Sequence, residues 1–335
     1  MKLSKIRQEL LTPKSKDGRL CFHPIFMMHA AAMYGKTYEE FMTDYHVLVD
    51  SNMYLLDLYD HDAVSVISDP YRETSAFGSR VFFSGDNFPV VYPIVRTMQD
   101  VDNLVIPDVY DQDRTLDRIK GVELFRSKLG NPFPIIGWVE GPLAEAADLM
   151  GPTNLLMDLI IDSIKVKMLL QKTLHVAKDF AIAQIKAGAN IIGIGDAICS
   201  QISKEMYDEF CLPLHKELFD CIHENGALVK LHICGDITHL LASLSILNID
   251  ILDLDWMVDV GNANIIMGDS VVLSGNLDPV SVVMNGSKEM ILQKFKEIKE
   301  LINPENWIFM AGCEIPKTTP IENVKFMREI SSNLN

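Results

Sequence analysis

Short apolar runs rich in β-branched residues alternate along this chain with longer stretches whose apolar positions recur every three to four residues. The first pattern suits buried parallel strands and the second amphipathic helices. Strands are predicted over 24–28, 63–69, 134–140, 191–196, 228–234, 251–256, 271–276 and 307–313. Helices are predicted over 154–186, 204–225, 237–247, 288–302 and 321–332, the last introduced by Thr-Thr-Pro with its proline at a helix-start position. Eight strands in β-then-α order match a closed (β/α)8 TIM barrel, one domain over 1–335, with an N-terminal helical extension before Pro24 and an addition over 97–128. A doubly wound open sheet shares the alternation, so the period alone leaves both architectures open.

The barrel makes a checkable statement about polar residues. Asp69, Glu140, Asp196, His232 with Cys234, Asp255, Asn276 with Asp278, and Cys313 with Glu314 all fall at the ends of predicted strands. In a βα barrel those ends share one rim, where active sites are built. Residues far apart in sequence then converge on one pocket.

Composition sharpens this picture. An apolar content of 48% with 23% charged residues supports a large core and excludes disorder for most of the chain. Thirty Lys and Arg against 46 Asp and Glu give a net charge of −16, which argues against nucleic acid or an anionic membrane as partner. The first residues have no secretory h-region and no apolar run approaches a membrane span. A soluble cytoplasmic protein is expected, whose six cysteines stay reduced and available for packing or metal.

His232-Ile-Cys234 closes an apolar run, and its two polar side chains share a strand face. Cys313 lies at the end of another predicted strand. One imidazole and two thiols suit zinc, and three protein ligands leave a position open, as catalytic zinc requires. Each member could otherwise be an ordinary core residue. Asp253 and Asp255 alternate on one face, either as carboxylates neutralised by a buried cation such as Lys230 or with Asp255 as fourth ligand or partner of His232. Gly193-Ile-Gly195-Asp196 lacks a dinucleotide fingerprint and reads as close backbone approach, with Asp196 left at the rim. Asp255, Asp196 and Glu140 are the candidate catalytic groups; His29, Asp69, Trp138 and Asn276 are the candidate substrate contacts. Cys199 is read as a spectator, and the seventeen methionines as adaptable core filling.

The order His232-Ile-Cys-Gly235, Ser274-Gly-Asn-Leu-Asp-Pro279, Ala311-Gly-Cys-Glu-Ile-Pro316 and Thr319-Pro-Ile-Glu-Asn-Val324 resembles the uroporphyrinogen decarboxylase superfamily, specifically its zinc-dependent branch of corrinoid methyltransferases. That branch includes the methylcobamide:coenzyme M methyltransferases. The resemblance spans nearly the whole chain and implies the same barrel. The decarboxylases open with Met-Arg-Gln-Ala-Gly-Arg-Tyr, whose arginines hold tetrapyrrole carboxylates. Here the matching stretch is Met28-His-Ala-Ala-Ala-Met-Tyr34, with His29 and Met33 in place of both arginines, and neither can replace a guanidinium fork. Asp69 looks like a decarboxylase carboxylate that has lost those partners. The resemblance therefore implies zinc on His232, Cys234 and Cys313, a corrinoid supplied by a partner corrinoid protein, and a small thiol acceptor or a methylated donor such as a methoxy compound. A metal-free decarboxylase and a non-enzymatic zinc-stabilised protein are the competing readings.

Overall fold

The computed structural model describes residues 19–131 and 133–332. Ten strands occur in chain order: β1 Cys21–Phe22, β2 Val64–Ser65, β3 Val81–Phe82, β4 Val90–Val91, β5 Ile135–Glu140, β6 Ile191–Gly195, β7 Leu228–His232, β8 Ile251–Asp253, β9 Val272–Leu277 and β10 Trp307–Ala311. Eight form one parallel sheet in the order β1-β10-β9-β8-β7-β6-β5-β2, and β3 pairs with β4 as an antiparallel hairpin outside it. At the seam between β1 and β2, the Asp62 N–H donates to the Phe22 carbonyl at 2.9 Å and the Phe22 N–H donates to the Asp62 carboxylate at 2.8 Å. Arg328, from the last helix, reaches the same carboxylate at 3.2 Å. The sheet thereby curls round into the (β/α)8 barrel that the strand count predicts.

Alternation along each strand decides what fills the barrel. Its lowest layer is apolar, with Ala63, Ile136, Ile191, Leu228, Ile251, Val272 and Ile308 in one buried cluster. Trp138, Gly193 and Lys230 stand two residues further along their strands, level with Ile251 and Val272 on the next two. Gly193 is required there: a Cβ on it would lie 2.2 Å from the Trp138 ring. Next in register come Glu140, Gly195, His232, Asp253 and Ser274, with Asn276 two residues beyond Ser274 on β9, so the polar layer lies at the C-terminal ends of the strands.

Several elements are shorter than their sequence patterns. The first strand is Cys21–Phe22 rather than 24–28, since Pro24 has no N–H for the ladder and the chain enters a helix at Met28–Met33. β2 stops at Ser65, whose hydroxyl takes the Ile67 N–H at 3.1 Å. The predicted helix over 154–186 is two, Pro152–Ile161 and Ser163–Ala187, broken where Asp162 leaves helical geometry and caps the second. The predicted 204–225 helix is likewise broken into Lys204–Phe210 and Leu212–Glu224, with Pro213 in the first turn of the second. The 97–128 region supplies helices Met98–Asn103 and Asp113–Leu129. Most of the expected N-terminal extension, residues 1–18, lies outside the described residues.

Candidate metal centre and its surroundings

The end of β7 and the loop after β10 bring three ligand atoms together. His232 Nε2 lies 3.1 Å from Cys234 Sγ and 3.8 Å from Cys313 Sγ, and the two sulfurs are 4.0 Å apart. With ordinary Zn–S and Zn–N bonds of about 2.3 and 2.05 Å, a tetrahedral ion sets edges of roughly 3.8 Å between sulfurs and 3.6 Å between sulfur and nitrogen. The donor set therefore fits zinc in both chemistry and spacing. Gly312 lets the third arm approach, because a Cβ there would meet the Trp256 backbone nitrogen at 2.4 Å.

The imidazole is oriented from below. His232 Nδ1 lies 3.2 Å from Asp253 Oδ2, and the other oxygen of Asp253 pairs with the buried Lys230 ammonium. Burial would raise the Asp253 carboxyl, but Lys230 and His232 outweigh it and hold it at about 2. Burial also disfavours a charged His232, yet Cys234, Asp253 and Cys313 together keep its imidazole protonated well above the ordinary value. A hydrogen bond from Cys234 and, against burial, another from His232 pull the Cys313 thiol down to about 4. The Cys234 thiol is pushed up, first by Cys313 and then by burial. A divalent cation needs both sulfurs as thiolates and a neutral imidazole, so its binding displaces the protons these three groups share.

Asp255 does not join the three converging ligands. Its carboxylate accepts from the Gly235 N–H at 2.6 Å and the Trp256 N–H at 2.7 Å, fixing the loop that carries Cys234. The residue that orients His232 is Asp253, because the strand alternation puts it level with His232 while β8 ends before Asp255. Asn276 donates to the Asp255 and Val258 carbonyls at 3.2 and 2.9 Å and so braces the same loop. Trp138 packs beside His232 with ring centroids 6.3 Å apart, on the inner wall.

The remaining predicted residues belong to other networks. Glu140 is bound to Arg72 at 2.9 Å; burial pushes its carboxyl well above the usual range, Arg72 pulls against this, and Glu73 and Asp148 add to the rise. Asp69 receives both terminal nitrogens of Arg114, at 2.9 and 2.5 Å. Burial opposes its ionisation, but Arg114 and Arg72 overcome that and hold it at about 2. His29 is enclosed, with Nε2 2.9 Å from the Tyr59 hydroxyl and Nδ1 3.3 Å from the Lys317 carbonyl. Asp196 points out of the barrel toward the helices, accepting from the Ala144 N–H at 2.7 Å and contacting His215 at 2.9 Å. The rim position expected for the Asp196 side chain is corrected accordingly: Gly195 faces inward, so its neighbour faces outward.

Arg72 and Arg114 were not singled out in the sequence, although Asp69-Pro-Tyr-Arg72 places a guanidinium three residues past a strand-end carboxylate. Both are already neutralised by rim carboxylates. Neither replaces the arginine fork missing at positions 29 and 33.

Two cysteines and a histidine at the strand ends of a βα barrel form a candidate metal site on the rim where such folds build active sites. Residues 25–334 match the family model "Uroporphyrinogen decarboxylase (URO-D)", and the chain belongs to that family. It is 29% identical over 332 residues to a uroporphyrinogen decarboxylase of Carboxydothermus hydrogenoformans, covering 94% of this chain and 93% of the relative. It is also 29% identical over 284 residues to the methylcobamide:CoM methyltransferase MtbA of Methanosarcina mazei, covering 81% and 80%. A solved methyltransferase from Methanosarcina mazei superimposes with a TM-score of 0.86 at 20% identity, over 99% of this chain and 97% of that one. The shared fold is the family's barrel. Among the described residues no helix is long and apolar enough to cross a membrane.

Proposed function

We propose that this chain is a zinc-dependent methyltransferase that moves a methyl group between a corrinoid, carried by a partner protein, and a small substrate bound at the rim, in the cytoplasm. The observation that carries this reading is the convergence of His232 Nε2 and the Cys234 and Cys313 sulfurs at spacings a tetrahedral ion would span. A zinc ion held there supplies a Lewis acid that stabilises a thiolate, or withdraws electrons from a methoxy oxygen, at its open position.

The chain's own residues set up that chemistry. Asp253 fixes the imidazole so that Nε2 faces the sulfurs. Asp255 holds the Cys234 loop at the Gly235 N–H, and Trp138 forms an apolar wall next to the histidine. In the thiol direction, the sulfur of R–SH bonds to the methyl carbon while the carbon–cobalt bond breaks. Its electron pair stays on cobalt, giving R–S–CH₃, Co(I) and one proton. The methoxy direction is the reverse displacement, with cobalt(I) taking the methyl group and the released oxygen taking a proton.

Relatives of both names match at 29% identity, the decarboxylase over 94% of this chain and the methyltransferase over 81%, so the choice rests on the site rather than on the names. A tetrapyrrole carboxylate needs a free guanidinium fork; the motif positions hold His29 and Met33, and Arg72 and Arg114 are occupied. The test is to mix purified protein with methylcobalamin or its reduced form and a panel of thiols and methyl ethers, following cobalt absorbance. Transfer with at least one substrate, dependent on zinc, is expected. No transfer from any of them, together with substoichiometric zinc, sinks the proposal. Release of carbon dioxide from uroporphyrinogen would instead establish the decarboxylase.

A further inference from the structure

A second set of soft and hard donors converges behind the barrel wall, separate from the rim ligands. Asp196, Cys199 and His215 offer ligand atoms all within 4.8 Å of one another, and all three residues are buried. They come from three pieces of backbone: the end of β6, the 3₁₀ turn Ala197–Gln201 and the first turn of helix Leu212–Glu224. Cys211 is next to this set and acts on the Cys199 thiol, although its sulfur is not among the three ligand atoms that already converge. Cys211 and His215 are four apart at that helix start, a spacing that places two side chains on one helix face.

The outer atoms of the cluster are already held, which leaves the inner ones facing each other. His215 Nδ1 lies 2.8 Å from the Tyr207 hydroxyl, so Nε2 is the nitrogen turned inward. Asp196 Oδ1 accepts from the Ala144 N–H at 2.7 Å, so Oδ2 is the oxygen turned inward, 2.9 Å from Nε2. Metal-binding imidazoles and carboxylates are held in just this way by partners on their far atoms, and the rim repeats it with Asp253 behind His232. After burial, the groups that act most on Cys199 are Cys211 and Asp196, so the pocket is rich in electron-pair donors.

We propose that Asp196, Cys199 and His215, with Cys211 as fourth donor, form a second, structural site for a divalent ion of zinc-like preference. One carboxylate, one imidazole and two sulfurs suit zinc over magnesium or calcium, which take oxygen ligands. Closure on four protein donors leaves no open position, so the ion has a structural role. On binding, the metal takes Nε2 of His215 and Oδ2 of Asp196 in place of the proton they share, the imidazole then carries its proton on Nδ1 toward the Tyr207 hydroxyl, and the two thiols release theirs to solvent. The ion then ties the 196–201 turn to the helix pair that meets at Cys211. It also ties both to the Pro142–Met150 helix, whose first turn Asp196 already caps.

The test is zinc stoichiometry in the full chain purified from zinc-supplemented cells. Wild type is expected to hold about two ions per chain, and Cys234→Ser/Cys313→Ser about one. Cobalt(II) loaded into that rim variant should give thiolate-to-cobalt charge-transfer absorption, which Cys199→Ser/Cys211→Ser in the same background removes. A folded rim variant with no zinc and no such absorption overturns the second site and leaves the rim site standing. One ion in wild type that persists undiminished in the rim variant supports the interior site and overturns the rim assignment. If the double variant fails to fold, His232→Ala gives the same readout with both rim thiols in place.

Discussion

His232 and Asp253 stand at the same level of adjacent parallel strands, with Nδ1 3.2 Å from Oδ2, and Lys230 closes on the carboxylate from the same strand as the histidine. A carboxylate at the level of the rim histidine therefore sets its orientation. A buried ion pair contributes little net stability but is costly to break from one side. Its value here is the fixed direction of Nε2.

Asp253→Asn is expected to weaken zinc binding by about 10- to 100-fold, the usual effect of losing an outer partner of a ligating histidine. It should also destabilise the fold by about 3–5 kcal/mol by leaving Lys230 uncompensated. Adding Lys230→Met should restore much of the stability and none of the affinity. Zinc competition titrations and thermal melts measure the two effects separately; recovery of affinity in the double variant would contradict the orienting role.

Cys313→Ala removes a ligand rather than an outer partner, and its zinc loss should exceed about 100-fold, with methyl transfer lost alongside. Cys221→Ala, far from the rim on the Leu212–Glu224 helix, should retain both. Metal analysis beside a cobalt-absorbance assay compares them. Zinc retained in full by the Cys313 variant would remove that residue from the centre.

Acid should unfold the protein over two windows. Burial holds the His61 imidazole down to about 4 against the Ala63 carbonyl, so it is neutral in the fold and protonates more readily in the unfolded chain. Its contribution is fully present above about 6.5 and is lost as pH falls toward 4, about 3 kcal/mol in all. Asp69, held at about 2 by Arg114 and Arg72 against the opposing effect of burial, keeps its contribution above about 4 and loses it as pH falls toward 2, about 2 kcal/mol. Denaturant midpoints against pH should flatten in the upper window for His61→Gln and in the lower one for Asp69→Asn.

Gly193→Ala forces a methyl group against the Trp138 ring at 2.2 Å. Overpacking of this kind costs about 1–3 kcal/mol. The displaced indole borders His232, so KM should rise more than kcat falls. Melting temperature, tryptophan fluorescence and steady-state kinetics report the three consequences; unchanged fluorescence and KM would show that the ring does not bound the substrate space.

The barrel was legible because buried parallel strands write themselves as short apolar runs, and seven of the eight predicted runs overlap an observed strand of the main sheet. The exception is instructive: the apolar residues after Pro24 look like a strand, but β1 pairs at Cys21–Phe22 before the proline. The His232, Cys234 and Cys313 cluster was readable from strand-end position and ligand chemistry. The division of labour between Asp253 and Asp255 was not, because it depends on where β8 stops. The inward or outward sense of Asp196 turns on a single residue of register. The arginines at 72 and 114 lie on helices, where no strand-end rule points to them.

The seam at Phe22 and Asp62 bears on the order in which the molecule is assembled. β1 takes its ladder partner from β10, nearly 300 residues later, and Arg328 from the final helix clamps the Asp62 carboxylate on its other side. During synthesis from the N-terminus, β1 can close its Asp62 seam early, 40 residues on, while its other edge waits for β10. Such distant pairings are slow to form, and the β10-facing edge of β1 is a place for chaperone capture until β10 has been made.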